Sequence, residues 1–318
     1  MTKRGGDGER RDHVRKWKAW RHCPWLQRER DVGDGNKLKF SKTATISPAN
    51  GSIGGDGSKI LRGEAAEDSV QASGTSIFDP VLCELAYLWF SPPGGHVLDP
   101  FAGGSVRGIV ASRLGRKYTG VDLRAEQIDA NEKQAADICT PPMPRWIVGD
   151  STNVKTLAAG EYDLVFSCPP YGDLEKYSDN PADLSTMDFD AFVEAYRKII
   201  AESVGLLRDN RFACFVVGDF RDKKGFYRNF PGETIRAFED AGATLYNEAI
   251  LVTSVGSLPI RVGKQFTTAR KLGKTHQNVL VFCKGDPRKA ANGCGPVEVR
   301  CDLETTEFGE KITAEDLA

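Results

Sequence analysis

His96-Val97-Leu98-Asp99-Pro100-Phe101-Ala102-Gly103-Gly104-Ser105 runs from a short apolar stretch into an acid, a proline and two adjacent glycines. A strand that breaks into a glycine-rich turn and then opens a helix is the first piece of a strand–helix–strand unit. The glycines allow a tight turn and close backbone approach, and the helix that follows offers unpaired N–H groups. Further short apolar runs, each bounded by turn residues, lie at 118–122, 146–149, 164–168, 212–218, 245–252 and 279–283. Helical periodicity precedes the first run at 80–90 and then fills 105–114, 125–136, 189–207 and 232–241. In 189–207 the stripe is Phe189, Phe192, Val193, Tyr196, Ile199, Ile200 and Val204, and Ser185 ahead of Asp188 has the spacing of a capping box. Ser105 is placed to cap the helix after the glycine turn. Strands alternating with helices predict an α/β fold: a seven-stranded, mostly parallel sheet with helices on both faces. The last two strands have no clear helical signal between them, which predicts an antiparallel hairpin at one edge.

The chain has 318 residues, with 43 Lys+Arg against 44 Asp+Glu and 40% hydrophobic residues, the composition of ordinary globular protein. Its longest strictly apolar run, 212–217, is far short of a bilayer span, and the basic N-terminus lacks the apolar core of a secretory signal. Eight cysteines without a Cys-x-x-Cys pair and only 4 histidines argue against a zinc cluster or disulfide framework. Reduced thiols in a cytoplasmic compartment, no metal and no membrane are the expectation. The net charge of -1 is the sum of segregated parts. Residues 1–30 form a basic arm with Trp17, Trp20 and Trp25, and 31–74 is a Gly/Ser-rich linker or mobile loop. Residues 75–289 form the folded domain, and 290–318 an acidic tail.

In an open parallel sheet, ligands bind outside the carboxyl ends of the strands, near the point where strand order reverses. Those ends carry Asp99 and its glycine loop, Asp122, Asp150, and Ser167-Cys168-Pro169-Pro170-Tyr171. A glycine-rich first turn with an acid after the second strand also occurs in dinucleotide folds. Here the Gly-x-Gly-x-x-Gly pattern is absent, and Asp99 would repel a pyrophosphate. A cationic, phosphate-free cofactor fits better: S-adenosylmethionine offers an ammonium group to Asp99 and ribose hydroxyls to Asp122.

Asp99 to Ser105, taken with Ser167 to Tyr171, resembles the amino-methyltransferase family of DNA, which modifies the exocyclic nitrogen of adenine or cytosine. Phe78-Asp79-Pro80 resembles the family segment that closes over the methionine moiety, and 279–284, after His276-Gln277-Asn278, resembles its closing strand. The resemblance spans about 75–285 and implies a Rossmann-like methyltransferase sheet, with S-adenosylhomocysteine as product. It assigns Phe78, Asp79, Pro80, Asp99, Pro100, Phe101, Gly103, Ser105, Asp122 and Asp150 to the cofactor, Asp150 accepting from the adenine amino group. Ser167, Cys168, Pro169, Pro170 and Tyr171 are assigned to catalysis. An exocyclic amino nitrogen is a poor nucleophile because its lone pair is delocalised, and hydrogen bonds from its protons favour a more tetrahedral form. The Pro169 carbonyl can supply one acceptor on a rigid backbone, and Tyr171 would stack on a base taken out of the duplex.

Two departures stand out. The family usually shows Phe-x-Gly-x-Gly where this chain has Phe101-Ala102-Gly103-Gly104-Ser105, and Cys168 occupies a position normally held by Asp, Asn or Ser. A thiol accepts hydrogen bonds weakly. Its size matches the Ser of cytosine-type enzymes, which favours cytosine N4 over adenine N6. As an alternative, a Cys168 thiolate could add to carbon-6 of a pyrimidine and direct methylation to carbon-5, with Asp173, Glu175 or Asp219 as the neighbouring acid. From a different class comes a DNA-binding protein with a degenerate cofactor pocket.

Two basic, aromatic-bearing segments follow the fifth strand. One holds Arg221, Lys223, Lys224, Phe226, Tyr227 and Arg228; the other, a long loop at 259–274, holds Arg261, Lys264, Phe266, Arg270, Lys271 and Lys274. On the catalytic side of the sheet they predict a double-stranded DNA partner, with RNA as the alternative. Phosphate contacts carry no sequence information, so no recognition site follows from them. The resemblance implies a stand-alone modification enzyme of a bacterium or phage.

Overall fold

The computed structural model describes residues 78–172, 180–252 and 258–297, with backbone only for 258–261. The arm of residues 1–30, the linker of 31–74 and the tail from 298 onward lie outside the described residues, as do Asp173 and Glu175.

Helix α1 (Pro80–Phe90) opens the body: Asp79 Oδ1 accepts from the N–H of Val81 at 2.8 Å, and Pro80 fills the first turn, where no N–H partner is needed. Then come β1 (His96–Asp99), α2 (Val106–Arg113), β2 (Lys117–Asp122), α3 (Ala125–Ile138) and β3 (Arg145–Val148). The short α4 (Val154–Leu157) leads into β4 (Tyr162–Ser167), followed by α5 (Phe189–Leu206), β5 (Leu207–Val217) and α6 (Phe230–Asp240). The chain closes with β6 (Thr244–Val252), α7 (Leu258–Ala269), β7 (His276–Lys284) and α8 (Pro287–Cys294).

The seven strands lie in the order β3-β2-β1-β4-β5-β7-β6. β1 through β5 pair in parallel, and β7 is antiparallel to both β5 and β6. This is the predicted sheet with its antiparallel edge pair. Chain order reverses between β1 and β4, so the loops that follow these two strands sit side by side. Both faces are covered, as the two-residue period of β5 shows. Ala213, Phe215 and Val217 face the cluster built on α5 and α6, around Phe192, Tyr196, Phe230 and Phe238. Phe212, Cys214 and Val216 face the opposite cluster, with Tyr87, Val106, Val110 and Trp146.

Four local expectations are corrected. The long loop expected at 259–274 contains α7, so the edge strands are joined through a helix; Pro259 and Gly263 hid its periodicity. Asp188, not Ser185, caps α5, accepting from the N–H of Ala191 at 2.9 Å, while the Ser185 hydroxyl donates to Asp183. Ser105 occupies the N-cap position of α2, but its hydroxyl is committed to Gln134 rather than to a helix N–H. The folded body also continues past 289, because α8 buries Ala290 and Cys294 against it. Asp286 and Pro287 are ordinary helix-start signals there. Among the described residues no helix is long and apolar enough to cross a membrane.

Candidate active site

The loops after β1 and β4 are joined by a hydrogen bond: the Ser167 hydroxyl donates to Asp99 Oδ1 at 2.5 Å. Asp99 is fully buried. Its Oδ2 receives Arg107 Nε at 2.5 Å and the Tyr118 hydroxyl at 2.7 Å, and its Oδ1 also receives the N–H of Phe101 at 3.2 Å. Arg107 binds the loop itself, donating from Nη2 to the carbonyls of Phe101 at 2.6 Å and Ala102 at 2.9 Å. Burial alone would lower the pKa of this guanidinium, yet the adjacent Asp99 carboxylate raises it above the ordinary value. Burial, reinforced by Asp99, pushes the Tyr118 phenol well up. The carboxylate expected to meet a cofactor ammonium thus has a full set of internal partners.

Phe78 lies under Arg107, 4.7 Å from the guanidinium to the ring centroid, and edge-on to Phe166 at 5.7 Å. The Phe78-Asp79-Pro80 segment therefore clamps the outside of the same loop while starting α1.

At the end of β2, Asp122 Oδ2 accepts from the N–H of Gly103 at 2.9 Å and its Oδ1 from that of Arg124 at 2.9 Å. Burial raises this carboxyl above its usual value, and the two N–H groups work against the rise. Asn131 Nδ2 donates to the Gly103 carbonyl at 2.8 Å, so Gly103 is held from both sides. Its φ of 50° is the left-handed region that glycine adopts freely, and a side chain there would meet nothing within 4 Å. Conformation, not space, requires the glycine. Asp150 Oδ1 accepts from Thr152 N–H at 2.8 Å, and the neighbouring Ser151 hydroxyl donates to the Pro100 carbonyl at 2.6 Å. The ends of β1, β2, β3 and β4 thus converge on one loop.

In the Pro-Pro-Tyr loop Cys168 is half-buried, with Sγ 3.8 Å from the Tyr171 hydroxyl. That hydroxyl also accepts from Gln277 Nε2, and the ring stands edge-on to Phe230 at 6.3 Å. Pro169 is buried, Pro170 half-buried. Gln277 was not among the predicted catalytic residues, although it stands in the His276-Gln277-Asn278 run at the start of β7. Asp219, suggested as an acid for Cys168, accepts instead from the N–H groups of Phe220 at 2.9 Å and Phe230 at 3.1 Å.

Arg221 to Tyr227 form a small hairpin closed by an antiparallel bridge, with the Arg221 guanidinium 3.7 Å above the Tyr227 ring. Lys223 and Lys224 stand exposed at its turn. Arg261 and Lys264 fall on α7, and Arg270, Lys271 and Lys274 on the segment after it. Lys271 Nζ lies against Gly225, 2.6 Å from where a β-carbon would be, so the two basic segments meet. Burial lowers the Lys274 pKa, with Asp219 opposing the shift. Among the described residues no group of three or more His, Cys, Asp or Glu is placed to hold a metal ion.

A family model described as DNA methylase matches residues 82–133, from α1 into α3. That stretch contains Asp99, the glycine loop and Asp122, and ends before the Pro-Pro-Tyr loop. The chain is 38% identical over 53 residues to the Type II methyltransferase M2.DpnII of Streptococcus pneumoniae, which is 17% of this chain and 20% of that protein. It thus spans only about a fifth of the length of this curated relative. Among solved structures, TrmN from Thermus thermophilus aligns with a TM-score of 0.44 and 16% identity, covering 65% of this chain and 49% of that one. A TehB-like SAM-dependent methyltransferase from Corynebacterium glutamicum aligns at 0.40 and 20% identity, covering 71% and 95%. At these scores neither likeness bears on substrate.

Proposed function

We propose that the chain, matched by the DNA methylase family model over residues 82–133, methylates an exocyclic amino group of DNA from S-adenosylmethionine. The observation that carries this reading is the Ser167–Asp99 bond, which holds the glycine loop against the Pro-Pro-Tyr loop at the reversal point of the sheet. The residues present fit the cofactor. A glycine loop with no side chain within 4 Å of the Gly103 β-carbon position leaves room for a ligand, and two carboxylates, Asp122 and Asp150, flank it. Asp122 would hold the ribose hydroxyls and Asp150 the adenine amino group. Phe101, Gly103 and Ser105 would form the floor. Asp99 enters as the residue that fixes the loop, since its acceptor positions are filled from within.

S-adenosylmethionine, when bound, would supply an electrophilic methyl group, with S-adenosylhomocysteine as the product. This chain's part is to orient the acceptor. The Pro169 carbonyl takes one amino hydrogen bond, Tyr171 offers its ring to a base turned out of the duplex, and the amino nitrogen sheds its second proton to solvent. Cys168, too weak an acceptor to replace a carboxylate, favours cytosine N4 over adenine N6. Double-stranded DNA lies along the joined basic segments.

Mass spectrometry of nucleosides from DNA treated with the full chain and S-adenosylmethionine tests this. N4-methylcytosine is the expected product. N6-methyladenine would move the base but keep the chemistry, whereas 5-methylcytosine would install Cys168 as a nucleophile. Methyl groups found only in RNA supplied alongside would reassign the polymer. Cys168→Ser separates the mechanisms again: amino methylation survives the exchange, and carbon-5 methylation does not.

A further inference from the structure

Beside the Pro-Pro-Tyr loop lies a cavity of about 370 Å³, lined by Gly172, Met187, Asp188, Phe189, Phe192, Asp222, Lys223, Lys224 and Arg228. Neither Cys168, Pro169 nor Tyr171 lines it, so it is separate from the pocket where methyl transfer is proposed. Gly172 follows Tyr171 directly, so the two places are one residue apart along the chain. The volume lies in the range of sites for molecules of nucleotide size.

Its walls divide by chemistry. Met187, Phe189 and Phe192 form an apolar floor continuous with the aromatic cluster of Tyr196, Phe220 and Phe230. The Arg228 guanidinium lies over the Phe189 ring, 4.3 Å from its centroid, leaving a flat cationic surface at the rim. Lys223 and Lys224 come from the exposed hairpin turn. Among the described residues no carboxylate lies within ion-pair distance of these three cations. Of the two acids in the wall, Asp188 accepts from Ala191 N–H at 2.9 Å, and Asp222 accepts from Phe226 N–H at 2.9 Å, which with the charge of Arg228 holds its carboxyl below the usual value. A guanidinium laid flat on an aromatic floor beside two exposed lysines is the pairing that holds a base by stacking and its phosphate by charge.

We propose that this cavity receives one nucleotide of the substrate strand next to the reactive base, its base stacked on the Arg228 guanidinium that lies over Phe189 and its phosphate between Lys223 and Lys224. The proposal rests on the nucleic-acid reading above and gives it a discrete contact in place of a diffuse basic surface.

The test measures affinity of the full chain for a fluorescein-labelled 20-base-pair duplex across a salt series. In Lys223→Ala/Lys224→Ala, loss of two phosphate contacts lowers the slope of log affinity against log salt by about 1.8. In Phe189→Leu, affinity falls about tenfold with the slope unchanged. An abasic position walked along the strand then weakens the parent at one place and leaves Phe189→Leu indifferent there. A lysine variant with unchanged slope overturns the proposal. So does a lowered slope with no abasic position that distinguishes the parent from Phe189→Leu, since the lysines would then touch phosphate only. If the parent methylates DNA while both variants keep its affinity, the subsite falls and the methyl transfer stands. If the variants lose affinity as expected but the parent methylates nothing, the subsite stands and the enzymatic reading falls.

Discussion

Arg107 Nε lies 2.5 Å from Asp99 Oδ2, with 6% and 0% of the two side chains exposed. Removing one member of such a pair strands a charge in the interior, which costs about 3–5 kcal/mol. Arg107→Met keeps the volume and removes the cation. Urea denaturation should show a stability loss of that size, and Asp99→Asn added to it should recover a substantial part. A loss below about 1 kcal/mol in the single variant would mean that Tyr118 and Ser167 hold the carboxylate unaided.

Tyr171 offers its ring to the proposed substrate but turns its hydroxyl to Gln277 and Cys168. Tyr171→Phe keeps the ring and loses one hydrogen-bonding group, so methyl transfer should fall no more than about tenfold. Tyr171→Ala should abolish transfer while calorimetric binding of S-adenosylmethionine persists. Transfer at the parent rate in Tyr171→Ala would remove base stacking from the mechanism.

Gly108 sits inside α2, where alanine would ordinarily add about 0.5–1 kcal/mol of helix stability. A β-carbon here would stand 2.5 Å from Trp146 Cζ2, a rigid ring, and 3.1 Å from Pro144 Cβ. Overpacking costs about 1–3 kcal/mol and outweighs the propensity gain. Gly108→Ala should therefore lower the denaturation midpoint; a raised midpoint would show that Trp146 yields easily.

His96 donates its backbone N–H to Asp163 Oδ2 at 3.0 Å, and its ring pairs with the Thr119 hydroxyl at 2.9 Å. Burial, with Lys117 nearby, lowers its pKa from 6.5. A folded-state pKa below the unfolded one means that the neutral ring stabilises the fold above about 6.5, and that this is lost as pH falls through the folded value. Asp163 acts in a more acidic window. Burial alone would raise its carboxyl, but the His96 N–H, Arg211 and Arg208 hold it below 3.8, so its contribution is lost only as pH falls further. Denaturation midpoints followed from pH 7 downward should decline from about 6.5, and His96→Gln should flatten that first decline while leaving the acid limb.

The alternation of 118–122 with 125–136 and the glycine turn at 103–104 made the parallel sheet legible, because each strand there is short and ends in a turn residue. The helix α7 was not legible: its Pro259 and Gly263 are loop residues by local preference, and its place between two paired edge strands decides otherwise. The convergence of Asp99, Asp122 and Asp150 could be inferred from strand ends. Arg107 could not, since a lone basic residue in the first turn of a short helix reads as solvent-facing until its burial is known. The cavity over Phe189 was hidden for another reason: its walls come from three segments, and Phe189 belonged to an apolar stripe with sufficient explanation as core.

Where Lys271 packs against Gly225, two loops far apart in the sequence share a seam. Surface loops ordinarily change length freely between relatives. Here a change of length in either loop would move Lys271 away from Gly225 and so alter where both sets of lysines stand. The pair should therefore be inherited, grafted or redesigned together, and a transplant of the hairpin alone would bring over its lysines without the surface that aims them.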